Sequence, residues 1–214
     1  MHTINELTIE NSALCLIDHQ PWVAFPINSI SPEHLTNNVL ALAKAAKAFN
    51  VPTVLSTING EGGPLRDPLF AGITEVFPDI TPIDRTNTNA WSDPAFVAAV
   101  QATGRKKLVM AGLWTEVCLA QTTLSAMKDG YEVYFVSDAS GGLSPEAHQM
   151  ACQRMIQAGA HPLTWFATLA EWCPDNADPL YQTTYPVALQ HGGGVQWGVE
   201  YILANLPQQG GGGQ

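Results

Sequence analysis

The 214-residue sequence predicts an α/β fold in which helices cover both faces of a parallel sheet. Runs of apolar, β-branched residues alternate along the chain with segments of helical periodicity. These runs are almost continuously apolar, which is typical of parallel strands buried on both faces. Hydrophobic residues make up 46% of the chain, which is enough for a substantial core.

Six segments are predicted to be strands, of which the run KLVMAG at 107–112 is the clearest. The third and sixth segments are short. In chain order the predicted strands are 12–18, 52–57, 80–84, 107–112, 132–137 and 161–164.

Capping residues and apolar spacing predict the helices between these strands. Ser31 is expected to cap a helix with Pro32 at its first position, and Gly130 to end the helix after the fourth strand. The predicted helices are 31–49, 69–76, 93–103, 118–129, 144–159, 165–172 and about 196–206.

A single domain is predicted over residues 1–206, because the chain has no internal repeat and no second core. Residues 180–206 are expected to form a C-terminal extension that contains the last helix. The Gly-rich residues 207–214 are expected to be a flexible tail.

The charge balance excludes some classes of partner. With 9 Lys and Arg against 19 Asp and Glu, the formal net charge is −10, so neither nucleic acid nor an anionic membrane is an expected partner. Charged residues make up only 13% of the chain, against roughly 25% in an average soluble domain. A homo-oligomer would explain this deficit, because the cores of interfaces are depleted in charge.

The cysteines and histidines do not predict a metal site, a disulfide framework or a cofactor. The four cysteines are widely spaced, and the histidines lack the spacing of metal ligands. No glycine-rich phosphate loop is present. The N-terminus has no signal-peptide pattern and no apolar run reaches the ~18 residues of a membrane span, so a cytoplasmic location is expected.

Ligands of open α/β sheets bind beyond the carboxyl ends of the strands, which selects the candidate catalytic residues. Cys118 lies at the start of a predicted helix, just after the turn that follows the fourth strand. This position is expected to lower the pKa of its thiol and to favour its use as a nucleophile. Asp18 ends the first strand and could act as a general base. Arg85 ends the third strand and could stabilise negative charge.

Each candidate also has a structural alternative. Cys118 could be a small buried hydrophobic residue, and Asp18 could be a capping or loop carboxylate. Arg85 could form a structural ion pair with Asp84 or Asp93.

The segments LIDHQ (16–20) and AGLWTEVCL (111–119) resemble those of the isochorismatase-like cysteine hydrolases. Segments 89–96, 103–142 and 154–166 are similar to the YcaC-type branch of that family. The resemblance covers about residues 10–173. It implies a Rossmann-like, three-layer α/β/α sandwich around a six-stranded parallel sheet.

The resemblance also implies an Asp, a Lys and a Cys as a catalytic triad. Asp18 and Cys118 match the base and the nucleophile, and Arg85 replaces the lysine. Arginine remains charged at any working pH, so it could stabilise negative charge without carrying protons. A cis peptide bond is implied between Leu113 and Trp114, with an oxyanion hole formed by the backbone N–H groups of Trp114 and Cys118.

The expected function is cysteine-dependent hydrolysis of an amide or related C–N bond in a small molecule, through a thioester acyl-enzyme and without a metal or cofactor. One alternative is a non-covalent, isochorismatase-type hydrolase or lyase; another is a catalytically silent binding or scaffold protein.

YcaC-type relatives assemble into rings, which implies a homo-oligomer from tetramer to octamer. The expected pocket residues are His19, Asn59, Asn89, Trp91 and Thr115.

Overall fold

The computed structural model describes residues 6–61 and 67–205, and it contains a six-stranded sheet in which every pair of neighbours is parallel. The order of the strands is β3-β2-β1-β4-β5-β6. The predicted fold class is therefore confirmed. The strands are β1 (Ser12–Ile17), β2 (Thr53–Ile58), β3 (Ile83–Arg85), β4 (Lys107–Gly112), β5 (Glu132–Val136) and β6 (His161–Leu163).

The third strand is displaced from its predicted position at 80–84. It begins only at Ile83, after Pro82, and it continues to Arg85. Proline lacks the N–H group that a strand would donate, so the pairing with β2 starts after it.

Helices cover both faces of the sheet. On one face α2, α3, α7 and α8 pack against alternate strand residues such as Leu14 and Leu55, and on the other α4, α5 and α6 pack against residues such as Cys15 and Met110. The helices are α1 (Pro21–Ala24), α2 (Pro32–Ala48), α3 (Ala71–Val76), α4 (Pro94–Ala102), α5 (Ala120–Lys128), α6 (Pro145–Gln157), α7 (Trp165–Trp172), α8 (Tyr181–His191) and α9 (Gly194–Asn205).

The predicted capping of α2 is present, since the Ser31 side chain accepts a hydrogen bond from the His34 backbone N–H at 3.2 Å. Asp93, Ser144 and Thr164 cap α4, α6 and α7 in the same way. Polar caps therefore fix where the chain turns from the sheet edge into these helices.

The predicted helix at 118–129 is wrong at its start. A single π-helical turn, Thr115–Leu119, precedes α5, and the backbone N–H of Leu119 donates to the carbonyl of Trp114, five residues earlier, at 3.3 Å. A periodicity of 3.6 residues does not reveal such a turn, although π turns are frequent at functional sites.

Helix α8 was not expected, because Pro186 interrupts its helical pattern. It forms through docking on α2: Val187 is buried, and His191 Nδ1 lies 2.9 Å from Asn37 Oδ1. The last helix, predicted at 196–206, is α9. The predicted tail at 207–214 lies outside the described residues.

None of the helices in the described ranges has the length and apolar character needed to cross a membrane.

Candidate active site

Asp18 follows β1 with a positive φ of 60°. Successive side chains of a strand alternate between faces, so a regular continuation of β1 would turn Asp18 to the face of Leu14 and Leu16. The left-handed backbone conformation redirects the carboxyl group. Its Oδ2 atom accepts a hydrogen bond from Arg85 Nη2 at 2.5 Å, and its Oδ1 atom has no hydrogen-bond partner of normal geometry among the described residues.

Arg85 ends β3 on the same face of the sheet as Ile83, which packs with the core cluster that contains Cys118. The guanidinium is fully buried, and its Nη1 donates to the carbonyl of Asn87. The alternative ion pairs with Asp84 and Asp93 do not form, because those carboxylates accept from Gly60 N–H and cap α4 respectively.

Cys118 lies in the π-helical turn between β4 and α5 and is 3% exposed. The turn directs its thiol towards Asp18, and the two side chains interact. The backbone N–H of Trp114 also points to the thiol. Within the chain, the peptide bond between Leu113 and Trp114 is cis.

The electrostatics of this group differ from the sequence-based expectation. Burial, and then the Asp18 carboxylate, raise the pKa of the Cys118 thiol to about 12, although Arg85 opposes this effect. The expected lowering of this pKa by the helix start is therefore wrong. Burial also raises the pKa of Asp18 to about 6, against the opposing charge of Arg85. Near pH 7 the resting site thus holds a neutral thiol beside a carboxylate.

A cavity of about 180 Å³ opens over Cys118. A cavity of this volume suits a small substrate. Asp18 and Arg85 are not among the residues that line it, and they lie beside Cys118, which does. The lining residues are Gln20, Trp22, Val23, Ile58, Asn59, Asp67, Thr88, Trp114, Val117 and Cys118.

Two tryptophans form one wall of this cavity. The rings of Trp22 and Trp114 stack with centroids 6.3 Å apart, and Trp114 Nε1 donates to the carbonyl of Val23 at 2.7 Å. Gln20 fixes the adjacent loops, because its amide accepts from the Ile58 N–H at 2.8 Å and donates to the Asp67 carbonyl at 2.7 Å. The cavity wall is therefore preorganised.

Of the five residues expected in the pocket, only Asn59 is among those that line the cavity. His19 is fully buried elsewhere, with Nε2 at 2.9 Å from the carbonyl of Ala139, because it follows Asp18 directly and points away from it. Thr115 is also buried, with Oγ1 at 2.8 Å from His148 Nδ1.

Asn89 and Trp91 have structural contacts instead of a place in the cavity. The Asn89 side chain caps a short 3₁₀ helix, Ala90–Ser92, and donates to Ser125 Oγ at 2.9 Å. Trp91 Nε1 donates to Asp129 at 2.8 Å. Both residues thus attach the segment after Arg85 to α5.

Sequence reasoning missed Trp22, which lines the cavity, and Ser56, a buried residue of β2 whose carbonyl accepts a hydrogen bond from the Asp18 N–H. Trp22 had no signal beyond its proximity to Asp18, whereas Ser56 is a polar residue near the end of an apolar strand and could have been found from that position. In the part of the chain that the structure describes, no three His, Cys, Asp or Glu side chains converge as metal ligands.

The sequence of this chain is similar to a known protein family and to one of its members. The model of the isochorismatase domain family matches residues 12–166. "Probable hydrolase YcaC" of Escherichia coli (strain K12) is 44% identical over 162 residues, which cover 75% of this chain and 77% of that protein.

Two solved structures are similar over almost the whole chain. YcaC from Pseudomonas aeruginosa, with hexane-2,5-diol and covalent acrylamide, has a TM-score of 0.90 and 36% identity, covering 94% of this chain and 99% of that one. The Escherichia coli YcaC structure, described as an octameric hydrolase of unknown specificity, has a TM-score of 0.89 and 36% identity, covering 96% and 100%. The resemblance inferred from the sequence is thus confirmed, and the chain belongs to the isochorismatase domain family, with a sequence and structure similar to those of the YcaC proteins.

Proposed function

We propose that the protein hydrolyses an amide or related C–N bond of a small, uncharged molecule, with Cys118 as the nucleophile. The observation that carries this proposal is the position of the Cys118 thiol between a small cavity and the buried Asp18–Arg85 pair. One side of the thiol faces substrate, and the other side faces a base.

In the proposed first half-reaction, the Asp18 carboxylate accepts the thiol proton while Cys118 Sγ bonds to the substrate carbonyl carbon. The resulting oxyanion accepts hydrogen bonds from the backbone N–H groups of Trp114 and Cys118. Asp18 then returns the proton to the leaving nitrogen, the C–N bond breaks, and a thioester remains.

In the second half-reaction, Asp18 accepts a proton from water, and the water oxygen attacks the thioester carbonyl. Collapse of this intermediate breaks the C–S bond, releases the carboxylic acid and returns the proton to the thiolate. Arg85 stays charged throughout and balances the carboxylate, which suits arginine better than a role in proton transfer.

The high pKa of the Cys118 thiol is compatible with this sequence. Cys118 is a neutral thiol in the resting site. Its proton therefore moves to Asp18 only as the bond between Cys118 Sγ and the substrate carbonyl carbon forms. In addition, one relative was crystallised with covalent acrylamide, an electrophile that reacts with thiols, which supports a reactive nucleophile in this fold.

The charge of the cavity supports an uncharged substrate. Among the described residues, its lining includes Asp67 and no Lys or Arg, and the Arg85 guanidinium lies behind Cys118. The non-covalent isochorismatase-type alternative has less support, because the Cys118 thiol lines the cavity. The alternative of a catalytically silent scaffold is also less supported. The bulky Trp114 side chain lines the cavity without filling it, and Arg85 forms an ion pair with the proposed base, Asp18.

We also propose that the protein is a cytoplasmic homo-oligomer, between a tetramer and an octamer. Phe25 is 93% exposed and Trp22 46% exposed, and together they form an apolar surface next to the cavity. A second copy of this chain is the proposed occupant of this surface, since the chain is poor in charge and the similar Escherichia coli protein is described as octameric. All four cysteines are free, which supports a reducing compartment.

A screen of small amides, hydroxamates and carbamoyl compounds with wild type and Cys118→Ala tests the proposed reaction. We expect turnover by the wild type alone, and a mass increase equal to the acyl group on the Cys118 peptide after rapid quenching. Full turnover by Cys118→Ala would exclude covalent catalysis by this residue.

A further inference from the structure

Ser56 has a buried hydroxyl group that the mechanism above does not use. It lies in β2, is fully buried, and shares with Val54 the face of the sheet that packs against Cys118. Its Oγ atom has no hydrogen-bond partner of normal geometry among the described residues. A buried hydroxyl without a partner is costly, so its surroundings need an explanation.

The neighbour of Ser56 on β1 is Asp18. The backbone N–H of Asp18 donates to the carbonyl of Ser56 at 3.0 Å, and the preceding residue, Ile17, is its register partner. Asp18 Oδ1 is likewise buried without a partner of normal geometry in the described part of the chain. A hydroxyl donor and a carboxylate acceptor, both unsatisfied, therefore lie on adjacent strands.

We propose that Ser56 is a positioning residue that donates its hydroxyl hydrogen to Asp18 Oδ1 when the carboxyl group is ionised. Arg85 would then hold Oδ2 and Ser56 would hold Oδ1, so that the carboxylate has a single orientation towards Cys118. The proposal rests on the proposed role of Asp18 as the base.

This interaction has a chemical consequence that simple packing would not have. A donor to a carboxylate stabilises its ionised form, and Ser56 opposes the effect of burial on the pKa of Asp18. Removal of the hydroxyl should raise the pKa of Asp18. The base would then become protonated at a higher pH.

The rate at which iodoacetamide alkylates Cys118, followed on the Cys118 peptide by mass spectrometry from pH 4.5 to 8.5, tests this without any substrate. Deprotonation of the Asp18–Cys118 pair should give a step with a midpoint near pH 6 in the wild type. We expect Ser56→Ala to raise that midpoint by about half to one pH unit, so that alkylation at pH 6 slows by roughly two- to five-fold.

Two further variants separate the hydroxyl from general effects. Ser56→Thr keeps a hydroxyl and should retain the wild-type midpoint. Thr57→Val removes the hydroxyl of the next residue, which donates to Asp84 at 2.8 Å and not to Asp18, and should leave the midpoint unchanged.

An unchanged midpoint in folded Ser56→Ala, or an equal shift in Ser56→Thr or Thr57→Val, would overturn the proposal. These outcomes are distinguishable from failure of the proposed function, because that failure appears as turnover by Cys118→Ala, whereas the alkylation profile reports only the titration of the pair.

Discussion

Arg85 Nη2 lies 2.5 Å from Asp18 Oδ2, and neither side chain has any exposed surface. Such a pair contributes little net stability when intact, because both charges have lost their hydration. Removal of one partner has a much larger effect, since the other charge remains buried without compensation. The pair therefore makes the integrity of the fold depend on the residues proposed for catalysis.

Replacement of Arg85 should separate charge from geometry. Arg85→Ala should lower the free energy of unfolding by about 3–5 kcal/mol and abolish turnover. Arg85→Lys keeps the charge but cannot hold Asp18 and the Asn87 carbonyl with one planar group, so we expect a folded protein with roughly ten-fold lower kcat. Urea unfolding and steady-state kinetics measure both effects; a fully active Arg85→Ala would contradict this role.

The pH dependence of turnover should follow the ionisation of Asp18. Its raised pKa of about 6 means that the carboxylate is present above pH 6 and is lost as the pH falls. The value of kcat/KM should therefore rise with pH through about 6 and decrease about ten-fold for each pH unit below it. Circular dichroism at pH 5 controls for unfolding, and a rate independent of pH between 5 and 7 would rule out Asp18 as the base.

Asn59 should contribute to substrate binding through its carboxamide. The residue lines the cavity at a φ of 51°, and its amide makes no hydrogen bond with other described residues. Asn59→Gly accepts this backbone conformation without strain and removes only the side chain. We expect KM to rise by roughly five- to ten-fold with little change in melting temperature. An unchanged KM would show that the carboxamide does not touch substrate.

The surface around Phe25 should control assembly. Phe25→Glu places a charge where we propose that another copy packs, so light scattering should detect a smaller particle than the wild type. Ile156→Glu, at a residue of α6 that is 45% exposed, serves as the matched control and should retain the native mass. If both variants keep the wild-type mass, Phe25 does not lie in the interface.

The position of the candidate site could be predicted because it depends on topology. Asp18 and Cys118 follow β1 and β4, and Arg85 is the last residue of β3; the carboxyl ends of such parallel strands meet at one edge of the sheet. The pocket lining could not be predicted in the same way. It depends on which direction each side chain takes after its strand ends, and His19 and Asp18, although adjacent, point to different surroundings.

The pKa of the Cys118 thiol could not be predicted from the sequence either. The start of a helix favours a thiolate, but complete burial of Cys118 beside a carboxylate outweighs that effect and raises the pKa of the thiol. Burial of this kind arises from long-range packing between β4, α5 and the loop after β1. Helix α8 could not be predicted either, because Pro186 interrupts its helical pattern. The helix is stabilised by docking on α2, through residues about 150 positions apart in the chain.

The π-helical turn Thr115–Leu119 contains one residue more than an α-helical turn would need. Each residue of an α-helix advances the direction of the side chains by about 100°. Deletion of a single residue such as Val117 would allow α5 to begin as a regular helix. It would also rotate Cys118 by that angle about the helix axis, relative to the residues that precede the deletion. The number of residues in this turn thus sets the direction of the Cys118 sulfur atom. A variant that keeps every proposed catalytic residue but lacks one residue of the turn could therefore be inactive.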